Sequence, residues 1–150
     1  MNASPSCRRH AAGFTLIELM CAVGIAGVLS SVAYPSFRGV VQKTRRTDAL
    51  VAIMQLQLAQ ERYRADHTTY GSLQQVGVDA SSPSHHYLLN VSDSVDTGYV
   101  AVASAAGSQQ ADSQCRVMRL RVDGANTIQS SGADALTDNP PTANKRCWSL

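Results

Sequence analysis

The chain has 150 residues, 16% charged and 5% aromatic, with a formal charge of +2. That is room for one small domain and a targeting segment, and so few aromatics predict a core that needs a staple or an assembly around it. Setting aside Arg8 and Arg9 leaves 11 basic against 11 acidic side chains, all beyond Gly13, so net charge alone makes no case for a polyanion partner.

In chain order, a short basic leader with Arg8, Arg9 and His10 runs to Gly13, and an apolar stretch follows. The 21 residues from Phe14 to Tyr34 read as a helix long enough to cross a bilayer, ending at Pro35. Glu18 is the one carboxylate within it. A charge at that depth costs a few kcal/mol and marks a functional residue, one that needs a partner the segment is not expected to contain. Gly24 and Gly27 form G-x-x-G among small residues that permit close helix packing. With Pro35 they make bending or local melting of the helix plausible.

From Ser36 to Asp66 the pattern becomes amphipathic. Ala49, Ala52, Ile53, Leu56, Ala59 and Tyr63 recur at spacings of three and four, and Leu50, Met54 and Leu58 form a second stripe. The face is wide enough to pack on a sheet and still touch a neighbour, with Gln55, Gln57, Gln60, Arg62 and Arg64 as polar filler. Helix throughout residues 14–66 would span about 80 Å.

Residues 71–84, rich in Gly, Ser, Asp and Pro, read as a loop. Short strands are predicted over residues 86–91, 98–104 and 116–123, with Asp123-Gly124-Ala125-Asn126 as a hairpin turn and a short last strand at Thr127–Gln129. Residues 131–150 read as a polar tail containing Pro140-Pro141. No catalytic set emerges. His85 and His86 are adjacent and would point to opposite faces of a strand, and the sequence has no phosphate loop, nucleophile elbow, CxxC metal motif or cofactor signature.

The run Gly13-Phe14-Thr15-Leu16-Ile17-Glu18 resembles the class III signal of type IV pilins and pseudopilins. The resemblance implies cleavage between Gly13 and Phe14 by a prepilin peptidase/N-methyltransferase, and methylation of Phe14. Residues 1–13 would be a removed leader and residues 14–35 the transmembrane or filament-core half of a helix. Residues 36–150 would be a periplasmic head, with helix over 36–66, sheet over 85–130 and a tail from 131. Arg46-Thr47-Asp48-Ala49, Gln60-Glu61-Arg62-Tyr63, Thr69-Tyr70, Gly98-Tyr99 and Cys147-Trp148 are similar to PilE-type minor pilins of Gram-negative bacteria. That likeness implies an α+β fold: a long amino-terminal helix packed on a small antiparallel sheet, with a disulfide-tied carboxy-terminal region. With the head exported, Cys115 and Cys147 are expected to pair, closing a loop of about 33 residues worth roughly 3–4 kcal/mol, the alternative being two free buried thiols.

The implied role is that of a structural subunit of a type IV pilus, not an enzyme. It would wait in the inner membrane until an assembly platform adds it to other pilins, major and minor, in an extracellular filament used for motility or adhesion. Glu18 would pair with the methylated amine of a neighbour's Phe14 and select register. A type II secretion pseudopilin and a DNA receptor for uptake are the alternatives. For the latter, Arg116, Arg119, Arg121, Lys145 and Arg146 could bind phosphates if they converge; a solvated strand face is the plainer reading.

Overall fold

The computed structural model describes residues 13–149, with only the backbone of Pro35, so the expected leader, apart from Gly13, lies outside the described residues. Helix α1 (Leu16–Asp66) is followed by strands β1 (Tyr87–Ser92) and β2 (Gly98–Ala105), a 3₁₀ turn (Gly107–Ala111), strands β3 (Val117–Asp123) and β4 (Asn126–Gly132), and helix α2 (Pro141–Trp148). The chain divides into two compact units, one ending at Arg38 and one beginning at Gly39.

The first unit is the amino-terminal part of α1. Its helix passes Gly24, Gly27 and Pro35 without a break. This stretch is long and apolar enough to cross a bilayer, and none of it is buried.

The second unit is built on an antiparallel meander in the order β1-β2-β3-β4. Alternation along the strands puts Tyr87, Leu89, Tyr99, Ala101, Ala103, Met118, Leu120 and Val122 on one face, where they meet Ala49, Ala52, Ile53 and Leu56 of α1. Alanines on both surfaces let helix and sheet approach closely, and each fully buried Ile or Leu contributes about 1.5–3 kcal/mol. The second helical stripe divides: Leu50 is buried, whereas Met54 and Leu58 stay exposed. Gln60, expected as polar filler, is fully buried and acts as a clamp. Its Nε2 donates to the Gly71 carbonyl at 2.6 Å, and its Oε1 accepts from the Gly71 amide at 2.9 Å, closing the turn after the helix.

Two expectations need correcting. The last strand is not a three-residue fragment but pairs with β3 along its whole length. Its side chains at 126–129 are exposed, so backbone pairing rather than an apolar pattern defines it. The tail is not irregular throughout: it contains α2, with proline at its first position, where the missing N–H costs nothing. The hairpin turn is as expected, with Gly124 at φ +57. Gly132 is required for another reason, because a Cβ there would lie 1.8 Å from the Thr137 carbonyl oxygen.

Cys115, just before β3, and Cys147, in α2, form a disulfide with their Cα atoms 5.5 Å apart, and both are buried. Replacing either with Ser should lower unfolding free energy by about 2–5 kcal/mol. Gln60→Ala should cost about 1–3 kcal/mol by leaving both Gly71 groups unpaired. Urea unfolding of the full chain in detergent, followed by Trp148 fluorescence, measures both; an unchanged midpoint for either would refute its assigned role.

Candidate functional site

At the amino terminus, Phe14 is 92% exposed and no side chain lies within 4 Å of a Cβ built on Gly13. Within its own segment Glu18 finds hydrogen-bond partners but no opposite charge. Its Oε2 accepts hydrogen bonds from the Thr15 amide and hydroxyl, both at 2.9 Å, and the Glu18 amide donates back to Thr15 Oγ1 at 3.3 Å. Thr15 immediately precedes α1 and Glu18 is its third residue, so the pair is a reciprocal capping box. The T-x-x-E spacing is legible in the sequence as a cap. It supplies hydrogen bonds but no counter-charge.

In the head, the five basic residues singled out from the sequence do not form one patch. Arg119 is largely covered and committed: it pairs with Asp138, donates to the Ala135 carbonyl, and donates from Nε to Ser130 Oγ at 3.3 Å. Arg121 is exposed on the outer sheet face, in register with Val100 and Ile128 and 3.8 Å from Asp123. Arg116 is exposed and donates to the Gln110 carbonyl at 2.9 Å. Lys145 and Arg146 are exposed in the last turn of α2.

Two polar hubs that the sequence did not suggest tie α1 to the loops around the sheet. Arg46 makes a bidentate pair with buried Asp112, at 2.7 and 2.9 Å. Gln109 Nε2 bridges the same carboxylate, the Tyr87 hydroxyl and the Gln42 carbonyl. Burial pushes the Tyr87 phenol up to about 12. In the second hub, Asp48 accepts from Ser82 Oγ and from the Ser84 and His86 amides. Burial alone would raise the Asp48 carboxyl, but these hydrogen bonds outweigh it and hold it below 3.8. A surface groove of about 670 Å³ between residues 72–80 and Asn90–Val91 contains a single carboxylate, Asp79. Among the described residues no three His, Cys, Asp or Glu side chains are grouped as metal ligands.

A long apolar amino-terminal helix, a four-stranded antiparallel meander and a disulfide-tied carboxy-terminal helix define a type IV pilin-type subunit. The chain belongs to the family described as type IV minor pilin ComP, DNA uptake sequence receptor, whose model matches residues 35–119. A second model, the prokaryotic N-terminal methylation motif, matches residues 8–34. The chain is 34% identical over 73 residues to a type II secretion system core protein G of Aeromonas hydrophila, covering 49% of this chain and 50% of that one. It is 44% identical over 57 residues to a probable minor fimbrial protein of Dichelobacter nodosus, covering 38% and 36%. It is 36% identical over 55 residues to the prepilin peptidase-dependent protein D of Escherichia coli K12, covering 37% and 38%. The chain thus spans about half or less of the length of these curated relatives. Pilins and pseudopilins are structural subunits, and this chain is one of them, not an enzyme. The motif and the apolar helix fit an inner-membrane-anchored pilin.

The Asp48 hub carries a pH signature. A carboxyl whose pKa is lowered by folding stabilises the fold at pH above its unfolded value, and that contribution disappears as pH falls through the folded value. Asp48→Asn should therefore be less stable than the parent at neutral pH, with the difference shrinking below about pH 4. Urea midpoints recorded across that range check it. A difference that stays constant down to acid pH would remove the carboxylate from the argument.

Proposed function

We propose that the chain is a minor pilin, a structural and assembly subunit of a type IV pilus that supports pilus-dependent motility or adhesion. The observation that carries this reading is the match of residues 35–119, all of α1's head portion, the first two strands and the start of β3, to a minor-pilin family. On this reading residues 1–13 are removed, Phe14 is methylated, residues 14–35 serve first as a membrane anchor and then in the filament core, and residues 36–150 form a periplasmic head. Gly24, Gly27 and Pro35 are then places where the helix could bend or melt on assembly. The likeness to core protein G of type II secretion supports a pseudopilin role instead. Detection of the protein in sheared pili favours the pilus; its absence there, with loss of secretion on deletion, favours the pseudopilin.

The capping box sharpens the test of Glu18. Glu18→Gln keeps an N3 side chain able to complete the box and removes only the charge, whereas Glu18→Ala removes both. Both variants should insert into the inner membrane at least as well as the parent. Both should show a much lower ratio of protein in sheared pili to protein in the membrane. A normal ratio for Gln with a low one for Ala would assign Glu18 to capping alone.

A second reading, a DNA receptor, is supported by the description of the matched family. Arg116, Arg121, Lys145 and Arg146 are the exposed basic residues available to it from the original set, while Arg119 is already paired. A mobility shift of duplex DNA by the full chain in detergent should weaken steeply with salt, and Arg121→Ala should reduce the slope by about one. No shift at low salt would end this reading and leave the structural one standing.

A further inference from the structure

Residues 39–150 hold ten basic and ten acidic side chains, yet basic residues predominate at one end of the unit and acidic ones at the other. One end is organised around the 3₁₀ turn. Arg45 Nη1 donates to Ser108 Oγ at 2.7 Å, Arg46 grips Asp112, and Arg116 Nε donates to the Gln110 carbonyl at 2.9 Å. Three guanidinium groups from two parts of the chain thus converge on residues 108–112. Arg46 also donates to the main-chain oxygen of Arg146 at 3.2 Å, which brings the end of α2 with Lys145 and Arg146 to the same place. Lys43 is exposed one helical turn before Arg46. Asp112, the acid at the centre of this group, is occupied by Arg46, and Asp48 is occupied by the 82–86 loop.

The other end collects the turns. The Tyr70 amide donates to the Val95 carbonyl, and the Gly124 amide to the Thr97 carbonyl at 2.7 Å, so the end of α1, the β1–β2 turn and the β3–β4 hairpin lie together. They bring Asp66, Asp93, Asp96 and Asp123, which with Glu61 outnumber Arg62, Arg64 and Arg121. The basic end is also where α1 comes into the unit: Lys43 lies four residues beyond Gly39, where the unit begins, and eight beyond Pro35, where the apolar run ends.

We propose that this basic end is a landing surface for the anionic phospholipid headgroups of the bilayer that holds the amino-terminal helix. The proposal rests on the membrane-anchored reading given above. Guanidinium forks match phosphate oxygens, and basic side chains within about 10 Å of an anionic surface are drawn to it. Placement about two helical turns after the apolar run favours a bilayer over a nucleic acid. Trp148, two residues from Arg146, is turned onto the core and donates to the Ser130 carbonyl rather than offering its ring to a base. Before assembly, such contacts hold the head basic end down and acidic end outward, and extraction of the subunit into a filament has to break them.

The test uses the full chain in lipid nanodiscs, either wholly zwitterionic or with about a third phosphatidylglycerol. Hydrogen exchange is followed in peptides spanning residues 105–117. Anionic lipid should slow exchange there by roughly fivefold or more, high salt should abolish the effect, and Arg45→Gln with Arg116→Gln should do the same. Arg121→Gln, at the opposite end, should leave it intact. Equal exchange in the two lipids would overturn the proposal, as would protection given by duplex DNA in neutral discs but not by anionic lipid. If the double variant does not fold, the salt dependence of the parent chain decides. Anchoring has its own readout, co-flotation of the chain with vesicles of either lipid, so flotation without protection would overturn the landing surface alone and failure to float would overturn the anchored reading.

Discussion

The rest of this structure depends on one constraint: among the described residues, the amino-terminal part of α1 is left unburied. Every large apolar side chain singled out from Phe14 to Val40 is at least 61% exposed. Each aliphatic left in water forgoes about 1.5–3 kcal/mol, so this stretch needs a bilayer or the equivalent helices of other subunits. The head must keep its own shape in either setting. Its fastenings are accordingly internal to residues 39–150: the alanine-lined helix–sheet contact, the Gln60 clamp, the Arg46–Asp112 pair and the Cys115–Cys147 bond.

The same need for self-sufficiency explains how the head treats its sheet edges. An exposed edge strand invites pairing with another chain. On the β1 edge, the Leu89 amide donates to the Ala80 carbonyl and the Ser82 amide to the Tyr87 carbonyl, so the loop before the strand covers its first half. On the β4 edge the cover is α2. Asn144 donates to the Gln129 carbonyl at 2.8 Å and Trp148 to the Ser130 carbonyl at 3.2 Å. Asn139 ties the preceding segment to Gln114 and Ser131. Helix α2 is too polar to be held by burial, which is why its attachment is made of amide hydrogen bonds and one covalent bond.

What was legible in the sequence follows from which interactions leave a pattern. The 3.6-residue stripe from Ala49 to Leu56 and the alternation from Val117 to Val122 arise from burial, and both elements stand where the pattern put them. The disulfide was legible because the resemblance implies an exported head, which leaves two cysteines to pair. The full extent of β4 was not, since its exposed residues carry no apolar signal. Nor was α2, whose residues have no buried stripe and whose proline reads equally well as a break or as a first turn. Gln60, Asp48 and the Arg46–Asp112 pair were invisible because a polar residue looks the same in sequence whether it is solvated or clamping a distant loop. The five basic residues failed to form a patch for a related reason: β3 gives Arg119 and Arg121 the same face, but the tail folds back over one and leaves the other free.

Glu18 shows how a local and a collective role can share one side chain. A capping carboxylate at a helix amino terminus is favoured by the backbone dipole and by its own hydrogen bonds, which makes the charge tolerable at the margin of an apolar segment. Hydrogen bonds from Thr15 satisfy lone pairs without cancelling charge, so the capped carboxylate still attracts a cation from outside. Both Thr15 donors reach a single oxygen, Oε2, and among the described residues none donates to Oε1. An amine could therefore approach the second oxygen without dismantling the cap. The helix start would stay intact when such a pair forms, so the local role would not have to end for the collective one to begin.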